Sequence, residues 1–373
     1  MCFYFEAKQT KSVEIDINYT TINSKPPTIS SNNKTSIQNI LIIRPCALGD
    51  LVVTLPTIEA IRNHFENARI EIMGYSSFLE IVKERFYADT ISRFDQADIA
   101  SLFTKNSNIP ASLINKLINM DLIISFVSDS EQIMVRNLRA AGAKHVIYYE
   151  PFPSEGGDIH VIDHFLKCLD LLGIHHSNKV PKIFLRDEDV LLGEKFLNDR
   201  VVDPKKMLVA MHPGSGSRQK CWAVDRYVEL ILWLKKEMDA QILLISGQAD
   251  TGIVEELRVK VRDNFILVDQ LPLPILAAII KRSNLFVGND SGITHVAAAV
   301  GTPAITIFGP TDPIKWGPRG ERVKILYKKY PCSPCSFDTR RNCFSQICLE
   351  GVTVEDVISQ IRYMVRYMNQ YSL

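Results

Sequence analysis

The chain has 373 residues, more than one compact core usually holds, so two domains are the starting expectation. A formal net charge of +1, with 46% hydrophobic and 23% charged residues, is an ordinary globular balance and removes any whole-protein case for binding nucleic acid. No apolar run reaches the length needed to cross a bilayer and nothing at the N-terminus reads as a secretory signal, so a cytoplasmic, reducing setting is expected for the eight cysteines.

Residues 1–37 are rich in Ser, Thr, Asn and Lys and read as a mobile extension. The first strand is expected at Asn39–Arg44, an apolar run that ends in Pro-Cys-Ala-Leu-Gly. Helical spacing follows from Asp50 to about Phe65, with Leu51, Leu55, Ile58 and Ile61 on one face. The alternation then repeats. Arg69–Met73, Asp121–Phe126 and His145–Tyr149 read as strands, and Phe78–Glu84, Glu131–Ala141 and Val161–Leu172 as helices. A charged, proline-bounded stretch, Lys179–Lys206, separates a second series. Its strands are Met207–Met211, Gln241–Ile245, Phe265–Val268, Leu285–Val287 and Ala304–Phe308; its helices include Asp225–Glu237, Ile275–Lys281 and Ile293–Val300. Apolar strands alternating with helices indicate parallel sheets covered on both faces. The expected division is an extension over 1–37, a first Rossmann-like domain over 38–185, a second over 186–352, and a C-terminal helix over 353–373 that packs back on the first domain.

Two loops carry phosphate-binding chemistry. His212-Pro-Gly-Ser-Gly-Ser217 follows a strand, and its small residues let backbone N–H groups approach an anion beside Lys220. Gly288-Asn-Asp-Ser-Gly-Ile-Thr-His295 ends another strand and opens a helix, where free N–H donors favour a diphosphate. The plain readings are a turn with a solvated lysine, a cap at Asp290 or Ser291, and a packed His295. Asp50 occupies the matching turn of the first domain. A carboxylate facing a cleft there can take a proton from a hydroxyl, although spacing alone favours an N-cap. Asp187-Glu188-Asp189 has the form of an acidic metal motif, but it stands where acids favour a helix start, and the metal reading is rejected. Cys332, Cys335, Cys343 and Cys348 suffice for a four-thiolate zinc site, yet their spacing is irregular for a zinc ribbon, so a metal site and a plain thiol-lined loop both stay open.

Ile42–Pro56, His212-Pro-Gly-Ser with Lys220-x-Trp222, Asn289-Asp-Ser-Gly-x-x-His295 and Phe308-Gly-Pro-Thr-Asp-Pro313 together resemble the heptosyltransferases of glycosyltransferase family 9, in matching order from about residue 39 onward. The resemblance implies a GT-B fold, with the acceptor in the first domain and ADP-heptose in the second. It implies inversion at the anomeric carbon with no cofactor and no catalytic metal. It assigns Asp50 as general base, and it gives Ser215, Lys220, Asp290, Ser291, Gly292 and His295 to the donor diphosphate. Asp250 is a candidate for ribose recognition. The implied acceptor is a lipid-linked saccharide or oligosaccharide of the lipopolysaccharide core, with a peripheral contact at the inner face of the inner membrane. The competing readings are a family member that uses another nucleotide sugar for a surface polysaccharide, and a catalytically idle paralogue that binds nucleotide sugar. A sugar-nucleotide epimerase of related fold is disfavoured by the Asp50 motif.

Overall fold

The computed structural model describes residues 37–106, 108–153, 157–247, 250–262 and 264–371. The extension read over residues 1–37 thus lies outside the described residues, apart from Ile37, which is buried in the first domain's core.

Two parallel sheets organise the chain. The first contains β1 (Asn39–Ile43), β2 (Arg69–Gly74), β3 (Thr90–Arg93), β4 (Leu122–Ser125) and β5 (Val146–Tyr148), in the order β3-β2-β1-β4-β5. The second contains β6 (Leu208–His212), β7 (Gln241–Ser246), β8 (Ile266–Asp269), β9 (Leu285–Asn289), β10 (Ala304–Phe308) and β11 (Val323–Tyr327), in the order β11-β10-β9-β6-β7-β8. Central strands such as β1, β6 and β10 are apolar along nearly their whole length because helices cover both faces. Strand order reverses between β1 and β4 and again between β6 and β9. In open α/β sheets these switch points, at the carboxyl ends of the strands, are where ligands bind.

β3 and β11 are strands that the sequence did not announce. Both are edge strands with half-exposed faces, so Thr-Ile-Ser-Arg and Val-Lys-Ile-Leu-Tyr lack the apolar run of a central strand. The helix expected over Phe78–Glu84 is a single turn, Ser76–Leu79, and Glu84 sits at φ +51°. The Val161–Leu172 helix is α-helical to Leu166 and then tightens to a 3-10 helix that ends at Gly173, φ +64°.

The stretch between the domains is structured. Asp187–Asp199 forms a helix against Leu273–Arg282, and Gly193 permits the close approach, since a Cβ there would lie 2.9 Å from the Ala278 Cβ. Asp189 accepts the Arg186 N–H at 2.8 Å and meets Arg85 of the first domain at 2.6 Å, with both side chains 4% exposed. These acids open a helix and close an ion pair, so the motif is structural. Asp189→Ala would leave the Arg85 guanidinium buried without its counter-charge, at an expected loss of ~3–5 kcal/mol in denaturant unfolding. A loss under about 1 kcal/mol would show that the Glu80 and Lys83 carbonyls, which also accept from Arg85, satisfy it alone.

The C-terminal helix, Val354–Tyr371, corrects an expectation. Val354, Val357, Ile358, Ile361 and Met364 bury into the second domain's core with Trp222, Leu234, Ile305 and Ile307, rather than packing back on the first domain. The apolar spacing predicts the helix correctly, but periodicity carries no information about which neighbour the stripe meets.

Candidate active site

At the end of β1 the chain turns through Arg44–Ala47 into the helix Leu48–His64. Ala47 is the N-cap and offers no side-chain bond, so Asp50 is the third helical residue and not the cap. Its carboxylate reaches back to the Ala47 N–H. Arg44 lies almost wholly buried beneath it, stacked 4.6 Å over the Phe165 ring. The Arg44 Nε donates to Thr54 Oγ1 at 3.2 Å, and the Thr54 hydroxyl donates to the Asp50 carbonyl at 2.7 Å. This framework fixes the first turn of the helix and the direction of Asp50.

In the second domain, the 212–217 and 288–295 loops meet. Asn289, fully buried at the end of β9, is the hub. Its Oδ1 accepts the Trp222 N–H at 3.0 Å and the Tyr227 hydroxyl at 3.2 Å, and its Nδ2 donates to the Pro213 carbonyl at 2.7 Å. The Ser215 hydroxyl donates to the Asp290 carbonyl at 2.7 Å. Lys220 Nζ lies 2.8 Å from the Asp290 carboxylate, which also accepts from the Thr311 hydroxyl at 2.6 Å. Ser291 caps the helix Gly292–Ala299, accepting the Thr294 N–H.

The amino ends of the Leu48–His64 and Gly292–Ala299 helices meet. A Cβ on Gly292 would stand 2.9 Å from the Gly49 nitrogen and 3.0 Å from the Leu48 Cβ, so only glycine allows this approach. Two positive helix ends in contact are a poor arrangement unless an anion lies between or beside them. Asp50 supplies one negative charge, and the first N–H groups of each helix have no intrahelical partner.

Electrostatics cross the same junction. Burial raises the Asp50 pKa, while Arg44, Lys220 and the Ala47 N–H pull it down and Asp290 pushes it up, with a net rise. A first-domain carboxylate that feels Lys220 and Asp290 belongs to the same site as they do. His295 is held neutral, its pKa lowered to about 4 chiefly by burial, with His160 and Lys220 lowering it further against the opposing pull of Asp290. It therefore carries little positive charge near neutral pH. His212 links three loops, with Nδ1 3.1 Å from Ser291 Oγ and Nε2 3.1 Å from Asp250 Oδ2. Burial raises Asp250, but the His212 bond and the Gly247 N–H outweigh it, and its pKa ends below the usual value. The carboxylate packs against Gly214, where a Cβ would lie 1.8 Å from Oδ1. Asp250 thus holds His212 and the glycine loop through Oδ2.

The residues picked from sequence therefore gather at one place, with their chemistry redistributed. Lys220 is the cation; Asp290 orients it; the Ser215 and Ser291 hydroxyls are engaged within the loops; Gly292 gives close backbone approach. Arg44, Asn289 and His212 are the positioning residues that sequence reading did not single out. Only their placement in strand-end motifs marked them. Among the described residues, no three His, Cys, Asp or Glu side chains gather in metal-ligating geometry, and Cys332, Cys335, Cys343 and Cys348 are free thiols.

Comparison with known proteins adds an independent line. Residues 170–343 match the family model described as glycosyltransferase family 9 (heptosyltransferase). Lipopolysaccharide heptosyltransferase 3 of Escherichia coli K12 is 27% identical over 336 residues, spanning 83% of this chain and 93% of that protein. Among solved structures, a glycosyl transferase family 9 protein from Veillonella parvula superposes with a TM-score of 0.72 at 18% identity, covering 88% of this chain and 97% of that one. The E. coli heptosyltransferase WaaC with ADP superposes with a TM-score of 0.63 at 16% identity, covering 88% and 100%. These structural likenesses establish the GT-B fold.

Proposed function

We propose that this chain, whose residues 170–343 match the glycosyltransferase family 9 model, transfers a heptose from ADP-heptose to a hydroxyl of a lipopolysaccharide core acceptor, with inversion at the anomeric carbon. The observation that carries the reading is the junction itself: Asp50 of one domain stands within the electrostatic reach of Lys220 and Asp290 of the other, where two helix amino ends meet.

In this mechanism the acceptor hydroxyl enters from the first domain and its proton passes to the Asp50 carboxylate as oxygen attacks the anomeric carbon. The bond from that carbon to the diphosphate oxygen breaks, and its electron pair leaves with ADP. Lys220 and the N–H groups opening the Gly292–Ala299 helix meet the charge that develops on the leaving diphosphate. Asp290 cannot donate to phosphate; it aims Lys220 and is itself fixed by Thr311. Arg44 opposes the burial that raises the Asp50 pKa.

Donor profiling tests the reading. Turnover with ADP-heptose is expected to exceed turnover with UDP-, GDP- and other ADP-sugars, with the product followed by mass spectrometry. A preference for a uridine or guanosine donor would overturn the donor assignment. Activity is also expected to survive EDTA, since side-chain and backbone donors supply the leaving-group stabilisation; a loss restored by Mg²⁺ or Mn²⁺ would overturn that part of the mechanism. No helix among the described residues is long and apolar enough to cross a membrane, and the lipid-linked acceptor is reached in this reading by a peripheral contact.

A further inference from the structure

The segment after β10, residues 309–319, touches both halves of the site. Near its start the Thr311 hydroxyl donates to Asp290, the partner of Lys220, at 2.6 Å. Further along, the Trp316 carbonyl accepts from the His295 ring. The next two contacts cross to the first domain. The Gly317 carbonyl accepts from His160 Nε2 at 2.9 Å, and the Arg319 guanidinium forms a two-pronged pair with Asp163, with Nη1 3.1 Å from Oδ1.

The first-domain side is equally prepared. His160 caps the Val161–Leu166 helix by accepting the Ile162 N–H at Nδ1, which fixes the tautomer and leaves Nε2–H to donate across the boundary. Asp163 also meets Lys179, in the stretch that joins the domains, at 3.2 Å. Its carboxyl is held down at about 2, mainly by Arg319. The Arg319 and Asp163 side chains are 26% and 28% exposed, so the pair is partly shielded and its fork geometry fixes orientation as well as distance.

We propose that residues 309–319 form a strap coupling the donor loop to the first domain, and that Asp163 and Arg319 are positioning residues holding the two domains at the separation that sugar transfer requires. The proposal rests on the transfer reading above for its effect on turnover. The Arg319–Asp163 pair touches no reacting atom in that mechanism. It acts through the strap: Arg319 pins one end to the first domain, Thr311 holds Asp290 at the other, and Asp50 and Lys220 keep their mutual placement. A group transfer between two domains is sensitive to such alignment, because small displacements of reacting groups cost large rate factors.

The test is a double-mutant cycle on Asp163→Asn and Arg319→Gln, read by ADP affinity, turnover and solution scattering with ADP bound. Expected results are ADP affinity within about twofold of wild type, and turnover lowered roughly three- to tenfold in each single variant through misalignment of the two domains. The double variant is expected to be no slower than the slower single one, because the two side chains act as one unit. The radius of gyration should exceed wild type in all three. Unchanged turnover and scattering in the single variants would overturn the proposal, as would a double variant whose loss is the product of the single losses. Scattering separates the two readings: a wild-type protein inactive on ADP-heptose would defeat the transfer reading, while an unchanged radius of gyration would defeat the strap.

Discussion

In the Asp50→Asn variant, turnover is expected to fall by at least about 100-fold, the lower end of what a positioned general base contributes, while ADP affinity stays close to wild type. Asparagine matches aspartate in size, and its side-chain oxygen can still accept the Ala47 N–H that Asp50 takes, so the first helical turn is preserved. What it cannot do is accept a proton. In the proposed mechanism the donor is held in the second domain by Lys220 and the Gly292–Ala299 helix, which is why binding and turnover should separate. Near-normal turnover would reduce Asp50 to a structural residue at a helix start.

The raised Asp50 pKa gives two signs to check. A base works ionised, so the acid limb of the kcat/KM profile should lie above the ordinary carboxylate range of about 4, and activity should rise as pH passes through it. For stability the direction is opposite. A carboxyl whose folded pKa exceeds its unfolded value contributes stability at low pH that is lost as pH rises through the folded value. Above its folded pKa the ionised Asp50 is therefore a net burden, even with Arg44 beside it. Asp50→Asn should melt at or above the wild-type temperature while losing activity, whereas a lower melting temperature would refute that electrostatic account.

Lys220→Ala is the second large effect. A hydrogen bond to a charged group typically contributes ~1.5–3 kcal/mol, so ADP affinity measured by calorimetry should weaken roughly 10- to 100-fold. Two consequences combine in that loss. The diphosphate loses its cation, and Asp290, freed of its 2.8 Å partner, presents an uncompensated carboxylate to an incoming anion. Asp290→Asn in the Lys220→Ala background should therefore recover part of the affinity. Calorimetry returning wild-type affinity for Lys220→Ala would remove Lys220 from the donor site. A double variant weaker than Lys220→Ala would show that Asp290 contacts the donor through its own acceptors.

Much of the architecture was legible because its signals are local. Apolar runs such as Asn39–Ile43 and Ala304–Phe308, alternating with helical periodicity, report a buried parallel sheet, and glycine-rich strand ends report backbone approach to an anion. These properties depend on the residue and its near neighbours, so sequence alone determined the two Rossmann-like halves and drew attention to Asp50, Lys220 and the 288–295 loop. Edge strands escaped because β3 and β11 bury only part of each face. The partners of each polar group were decided by the tertiary structure. That Asp50 follows the cap, that Asp250 serves His212, that His295 is neutral, that Asp189 meets Arg85 and that the last helix joins the second core all depend on residues distant in sequence. Hydrogen bonds and charge interactions act over a few ångströms in space, whatever the separation along the chain, and only folding sets which groups come that close.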